Sequence, residues 1–179
     1  MSWLKDLILG PPSGGLTPTP TFHRLVAGLP DDWPSDQFIL VGSACLAVRG
    51  VRDVHDLDVL IDRSLLYSAN TFVNTRSYVK DRPAARLQPY LDEDAPWSEY
   101  DFFTEPPRLT LYTIESIRER ADTVFVQGRK VLVQSPYHTL AIKALVHPPR
   151  KKDIADMKLL AEIIADEYQS PAKDTGFYR

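Results

Sequence analysis

Apolar positions along the chain fall into short runs with distinct periods. Phe38-Ile39-Leu40-Val41 is unbroken and predicts a buried strand, followed at once by Gly42-Ser43. Ala44 to Val48 reads as a helix stopped by Gly50, and Leu57 to Asp62 alternates as a second strand. Tyr100 to Phe103 predicts a third. Thr123 to Val126 and Lys130 to Gln134, joined through Gln127-Gly128-Arg129, predict a hairpin. Helical spacing marks Phe22, Leu25, Val26 and Leu29, with Thr21 as the expected cap. Helices are also expected over Ser64 to Asn74 with Ser64 as cap, Ile114 to Ala121, Pro136 to about Val146, and Lys151 to about Tyr168. The stripe Ile154, Met157, Leu160, Ala161 and Ile164 is the expected buried face of the last one. Residues 76 to 96 are polar and Pro-containing, with one strand expected near Arg86 to Leu91.

This order predicts an α+β fold: a mixed β-sheet flanked by helices, with further helices at the C-terminal end. Residues 1–20 are broken by Gly and Pro and read as a peripheral arm. Residues 21–168 read as a single domain, and 169–179 as a tail. A length of 179 residues agrees with one domain.

Composition narrows the function classes. A net charge of -3 argues against a uniformly basic nucleic-acid binder. The single cysteine, Cys45, excludes an internal disulfide and a cysteine-based zinc site, and its apolar surroundings predict burial. No apolar run reaches the roughly 18 residues of a membrane helix, so a cytoplasmic location without membrane partners is expected. His23, His55, His138 and His147 show no ligand spacing.

The candidate chemistry lies between Phe38 and Asp62. Gly42 permits close approach of backbone to ligand, and Ser43 with the amides of the following helix suits phosphate. Asp56 and Asp58, two apart at a strand start, project to one face. Paired carboxylates repel unless a divalent cation neutralises them, and hard oxygen donors suit magnesium or manganese. A third carboxylate on a neighbouring strand would complete a two-metal site for in-line displacement at phosphorus. Asp101 fits, with Glu99 as the fallback.

Gly42-Ser43, Gly50-x-Arg52-x-x-x-Asp56-x-Asp58 and a later strand aspartate together resemble the DNA polymerase β-like nucleotidyltransferase superfamily. The form is similar to its small bacterial branches, the antibiotic nucleotidyltransferases and the abortive-infection-type toxin nucleotidyltransferases. Ser135 to Lys143 resembles the family helix that presents a lysine to the nucleotide, and Arg150-Lys151-Lys152-Asp153-Ile154-Ala155-Asp156 its R-x-K-D-x-x-D segment. The match spans about residues 21 to 166. It departs at Val54, where many relatives carry Ser or Thr.

The resemblance implies a nucleotidyltransferase that moves a nucleoside monophosphate from an NTP, such as ATP, to a hydroxyl and releases pyrophosphate. Gly42 and Ser43 would grip the triphosphate. Asp56, Asp58 and Asp101 would be the catalytic carboxylates and hold Mg2+ or Mn2+, with Asp101 also a general base. Arg52 and Lys143 would contact the nucleotide. Arg150, Lys152, Asp153 and Asp156 would orient acceptor or substrate. The implied acceptors are an RNA such as tRNA, a protein or a small molecule, and a partner subunit is a further option. Arg82, Arg86, Arg118, Arg120, Arg129, Lys130 and Arg150 to Lys152 are candidates for an RNA-binding groove. The alternatives are a catalytically inactive nucleotide- or partner-binding module of the same fold, and an antitoxin-like enzyme that modifies a cognate toxin.

Overall fold

The computed structural model describes residues 16–74, 79–82, 86–89, 100–104, 113–145 and 148–169. Seven strands form one mixed sheet: β1 (Phe38–Val41), β2 (Leu57–Ile61), β3 (Val79–Arg82), β4 (Arg86–Pro89), β5 (Tyr100–Phe103), β6 (Asp122–Val126) and β7 (Arg129–Val133). Their spatial order is β3-β4-β5-β2-β1-β7-β6. β1 runs antiparallel to β2 and parallel to β7, and β2 runs parallel to β5. The helices are α1 (Pro20–Ala27), α2 (Ala44–Ala47), α3 (Leu66–Asn74), α4 (Ile114–Glu119), α5 (Pro136–Ala144) and α6 (Lys151–Gln169). The expected α+β architecture with C-terminal helices is the one observed.

Strand alternation divides the core by sheet face. Phe38, Leu40, Leu57, Val59, Tyr100, Phe102, Val131 and Val133 enter the larger cluster, together with Phe22 and Leu25 of α1, Cys45 and Leu46 of α2, and Leu160 of α6. Ile39, Val41, Leu60, Phe103 and Leu132 point the other way and pack with Ile117 of α4. Asp58 and Asp101 share the parity of Leu60 and Phe103, so both belong to this second, more thinly covered face.

Several local expectations are revised. Thr19, not Thr21, caps α1: its hydroxyl accepts from Phe22 N–H at 3.4 Å, and Pro20 takes the first turn, where its missing N–H costs nothing. The Thr21 hydroxyl donates instead to Asp53 Oδ2 at 2.6 Å, and that of Thr19 to Asp53 Oδ1 at 2.6 Å. The Thr19 N–H donates to Ala47 O at 3.0 Å, and Leu16 packs on the core. The end of the expected arm is therefore strapped to the loop that carries Arg52. Ser64 caps no helix; it lies in a 3-10 turn, Arg63–Leu65, ahead of α3. The hairpin turn contains Gln127 and Gly128 alone, with φ of 51° and 81°, the paired positive angles of a tight primed turn. The polar segment holds two strands, β3 and β4, rather than one.

The largest revision concerns α6. Ile154 is exposed, while Asp153 and Asp156 are completely buried with Leu160. The residues at i, i+3 and i+7 on the inward face are two carboxylates and a leucine. Residues 1–15, Glu99, His147 and residues 170–179 lie outside the described residues.

Candidate functional site

The site gathers where β1 ends and β2 and β5 begin. β1 leads into Gly42, whose φ is +64°. A β-carbon there would sit 2.5 Å from Asp58 Oδ2, so glycine is required both by backbone angle and by the carboxylate pressed against the turn. Asp58 pairs with Val41 on one side and with Asp101 on the other. Asp58 and Asp101 therefore stand side by side on adjacent parallel strands. Asp56 lies just before β2, half-buried, and Asp101 is buried. Among the described residues, no three His, Cys, Asp or Glu side chains converge as a ready cation cage.

Behind the turn lies a buried ionic cluster. Asp156 Oδ2 accepts the Ser43 hydroxyl at 3.1 Å and the Lys143 ammonium at 2.8 Å, and Asp156 Oδ1 pairs with Arg52. Arg52 also donates to Ser43 Oγ at 3.3 Å. Lys143 donates to Asp153 Oδ1 at 3.1 Å. Arg150 closes the cluster by donating from Nε to Asp153 Oδ2 at 2.6 Å and from a terminal nitrogen to Oδ1 at 3.0 Å. This fork-to-fork contact is the strong form of an ion pair. The Arg150 guanidinium, followed by Lys143, holds the Asp153 carboxyl down at about 2 against an ordinary 3.8. Asp153 in turn raises Arg150, and the Asp58 carboxylate adds to that effect. Arg150 thus lies within the field of Asp58 as well as Asp153.

These contacts reassign several residues. Lys143 is neither a surface lysine reaching for solvent nor an unattached cation; it is 8% exposed and shared by two carboxylates. Ser43 makes no capping bond to α2, because its hydroxyl faces Asp156. Arg52 pairs with Asp156 across 104 residues rather than with its neighbours Asp53 or Asp56. Lys152 is exposed. The expected basic groove loses two members to structural work. Arg118 pairs with Asp62 at 2.9 Å. Arg129 lies over the Phe38 ring and donates to the carbonyls of Leu29, Pro30 and Trp33.

One participant escaped the sequence reading. Gln134, directly after β7, is 1% exposed, and its Oε1 accepts from Gly42 N–H at 3.3 Å and from the Thr139 hydroxyl at 3.2 Å. Its position between a strand and the Ser135-Pro136 helix start was the available signal.

No protein-family model matches the chain, and no curated protein matches it. Among solved structures, the lincosamide antibiotic adenylyltransferase LnuA, in its lincomycin-bound form, is similar with a TM-score of 0.49 and 15% sequence identity. That likeness covers 70% of this chain and 86% of the other. At that score and identity, it carries no inference about what this chain binds or transfers.

Proposed function

We propose that this chain is a nucleotidyltransferase, dependent on a divalent cation, that moves a nucleoside monophosphate from an NTP to a hydroxyl acceptor. The observation that carries the reading is the side-by-side register of Asp58 and Asp101 against the Gly42 turn. The donor set fits magnesium or manganese, because it consists of hard carboxylate oxygens only. Asp56, Asp58 and Asp101 would hold the cation, with substrate phosphate oxygens completing a set that the protein alone does not gather. Bound there, the cation supplies charge neutralisation at the phosphates.

The protein's own residues divide the remaining work. Gly42, having no side chain, lets the Asp58 carboxylate lie directly against the turn. Arg52 and Arg150, both partly exposed at the head of the cluster, offer positive charge to the polyphosphate. Lys143, Asp153 and Asp156 hold those two guanidinium groups in place. Asp101 takes the proton of the acceptor hydroxyl. The hydroxyl oxygen bonds to the α-phosphorus, the bond from that phosphorus to the bridging oxygen breaks, and pyrophosphate leaves. The acceptor is an RNA such as tRNA, a protein such as a cognate toxin, or a small molecule. No described helix is long and apolar enough to cross a membrane.

A second reading is favoured by the engagement of Ser43 and Arg52 with Asp156. A self-satisfied cluster of that kind suits a module that binds a nucleotide or partner without turnover. One experiment separates the two. The protein is incubated with each α-phosphate-labelled NTP, magnesium and a whole-cell extract, and RNA, protein and small molecules are then separated. Transfer predicts label in one fraction and its loss in Asp58→Asn, whose fold is retained because neutralisation relieves a crowded carboxylate. Equal labelling by wild type and Asp58→Asn would refute the mechanism. Nucleotide binding without label in any fraction would favour the binding module.

A further inference from the structure

Gln134 bridges three elements at the turn. Its backbone N–H donates to Leu40 O at 2.8 Å, continuing the ladder between β7 and β1. Two residues on from Leu40, just past the end of β1, the next donor is Gly42 N–H. The β7 backbone cannot answer it, because the chain turns away at Ser135 and enters α5 through Pro136. The Gln134 carboxamide oxygen takes the place of the missing carbonyl and receives Gly42 N–H at 3.3 Å. The Thr139 hydroxyl, one turn into α5, lies 3.2 Å from the same oxygen and shares its one proton with Ser135 O at 3.0 Å. An N–H facing the carboxamide requires the oxygen, so the amide nitrogen points elsewhere, and there it is buried with no hydrogen-bond partner among the described residues. An unpaired buried donor costs stability, so packing alone is a poor reason for a glutamine here. What glutamine adds over an apolar side chain of similar length is the oxygen on Gly42.

We infer that Gln134 is a positioning residue that sets the Gly42–Ser43 turn for a substrate phosphate. The inference rests on the nucleotidyltransferase reading and names a residue outside the carboxylates and the ionic cluster. Gln134 acts through the turn: it fixes the Gly42 peptide plane against Asp58 while α5 and β7 hold it rigidly from behind.

The test compares wild type, Gln134→Met and Gln134→Glu in three measurements: thermal melting, amide hydrogen exchange at Gly42, and binding of each NTP with magnesium. Gln134→Met exchanges one unpaired donor for another, so its melting temperature stays near that of wild type. Its Gly42 amide exchanges at least about tenfold faster. Its nucleotide affinity falls by about tenfold, the equivalent of one lost hydrogen bond. Gln134→Glu keeps an oxygen at that point and retains Gly42 protection. Unchanged Gly42 exchange in Gln134→Met overturns the inference, and so does unchanged nucleotide affinity alongside a lowered melting temperature. A wild-type protein that binds no NTP overturns the nucleotidyltransferase reading and the phosphate half of this one. The exchange rates then still decide whether Gln134 sets the turn.

Discussion

Lys143→Met isolates the keystone of the buried cluster. The variant keeps the length and packing of the side chain and removes the ammonium that Asp153 and Asp156 share at 3.1 and 2.8 Å. Arg150 and Arg52 still serve one carboxylate each, so neither is left wholly unpaired. Removing one partner from a buried ion pair costs on the order of 3–5 kcal/mol. With a urea slope of about 2 kcal/mol per molar, that moves the unfolding midpoint down by roughly 1.5–2.5 M. The loss is a large fraction of the stability typical of a single domain.

The pH dependence supplies a second, independent number. Asp153 has a folded pKa of about 2 against an ordinary 3.8. Its folded value is the lower one. The stabilisation is therefore complete above about pH 4 and is lost as the pH falls through about 2. In full, the shift is worth about 2 kcal/mol, contributed first by Arg150 and then by Lys143. The gap between wild type and Lys143→Met should accordingly be widest at about pH 7 and narrower by on the order of 1 kcal/mol at about pH 2.5. Urea titrations followed by far-ultraviolet circular dichroism at the two pH values measure both quantities. A loss below about 0.5 kcal/mol at neutral pH, the range of a surface substitution, would refute the buried-cluster argument. A gap that does not change with pH would remove Asp153 from it.

Three further outcomes follow from other parts of the structure. Gly42→Ala should lose about 1–2 kcal/mol for its backbone angle and more for displacing Asp58. Gly128→Ala has a similar φ and open space around it, so it should lose the backbone part alone; equal losses in chemical denaturation would contradict the close packing of Asp58 on the turn. Burial pushes the Cys45 thiol up to about 11, so iodoacetamide at neutral pH should modify it only as fast as the chain unfolds; rapid labelling of folded protein would contradict that burial. The hydroxyls of Thr19 and then Thr21 hold the Asp53 carboxyl below its ordinary 3.8. The strap over residues 16–21 is therefore fastened above that value and loosens in acid. Amide exchange at Thr19 should rise relative to the core as the pH drops below about 3.8, and a constant ratio would refute it.

Much of this was legible in the chain because local pattern and tertiary role agree. β1, β2 and β5 are short apolar or alternating runs buried in the middle of a sheet, where period and burial reinforce each other. Asp58 and Asp101 stood out because an acid in such a run has no packing reason to be there. β3 was missed because Val-Lys-Asp-Arg reads as polar surface, and only pairing with β4 makes it a strand. The buried face of α6 was misread for a related reason. Hydropathy put Ile154 on the buried stripe, whereas Lys143 of α5 and the guanidinium of Arg52 draw Asp153 and Asp156 inward instead. Charge partners distant in sequence leave no mark on periodicity. Gln134 left only its place ahead of Ser135-Pro136 as a mark, because its contact with Gly42 depends on where β7 stops relative to β1.

The span of the Ser43–Asp156 bond has a consequence for biosynthesis. The two residues lie 113 positions apart, and Arg52 and Asp156 lie 104 apart. Every described strand of the sheet precedes α5, so a nascent chain can complete its sheet while the turn beside Asp58 still lacks the carboxylate of Asp156 that anchors Ser43 and Arg52. Asp156 arrives only with α6, the last described helix to leave the ribosome. A product released before that helix docks would carry the strand carboxylates in register but no fixed guanidinium beside them. Order on this side of the turn thus waits for α6, and a chain cut before that helix would keep Asp58 beside Asp101 while leaving Ser43 and Arg52 without Asp156.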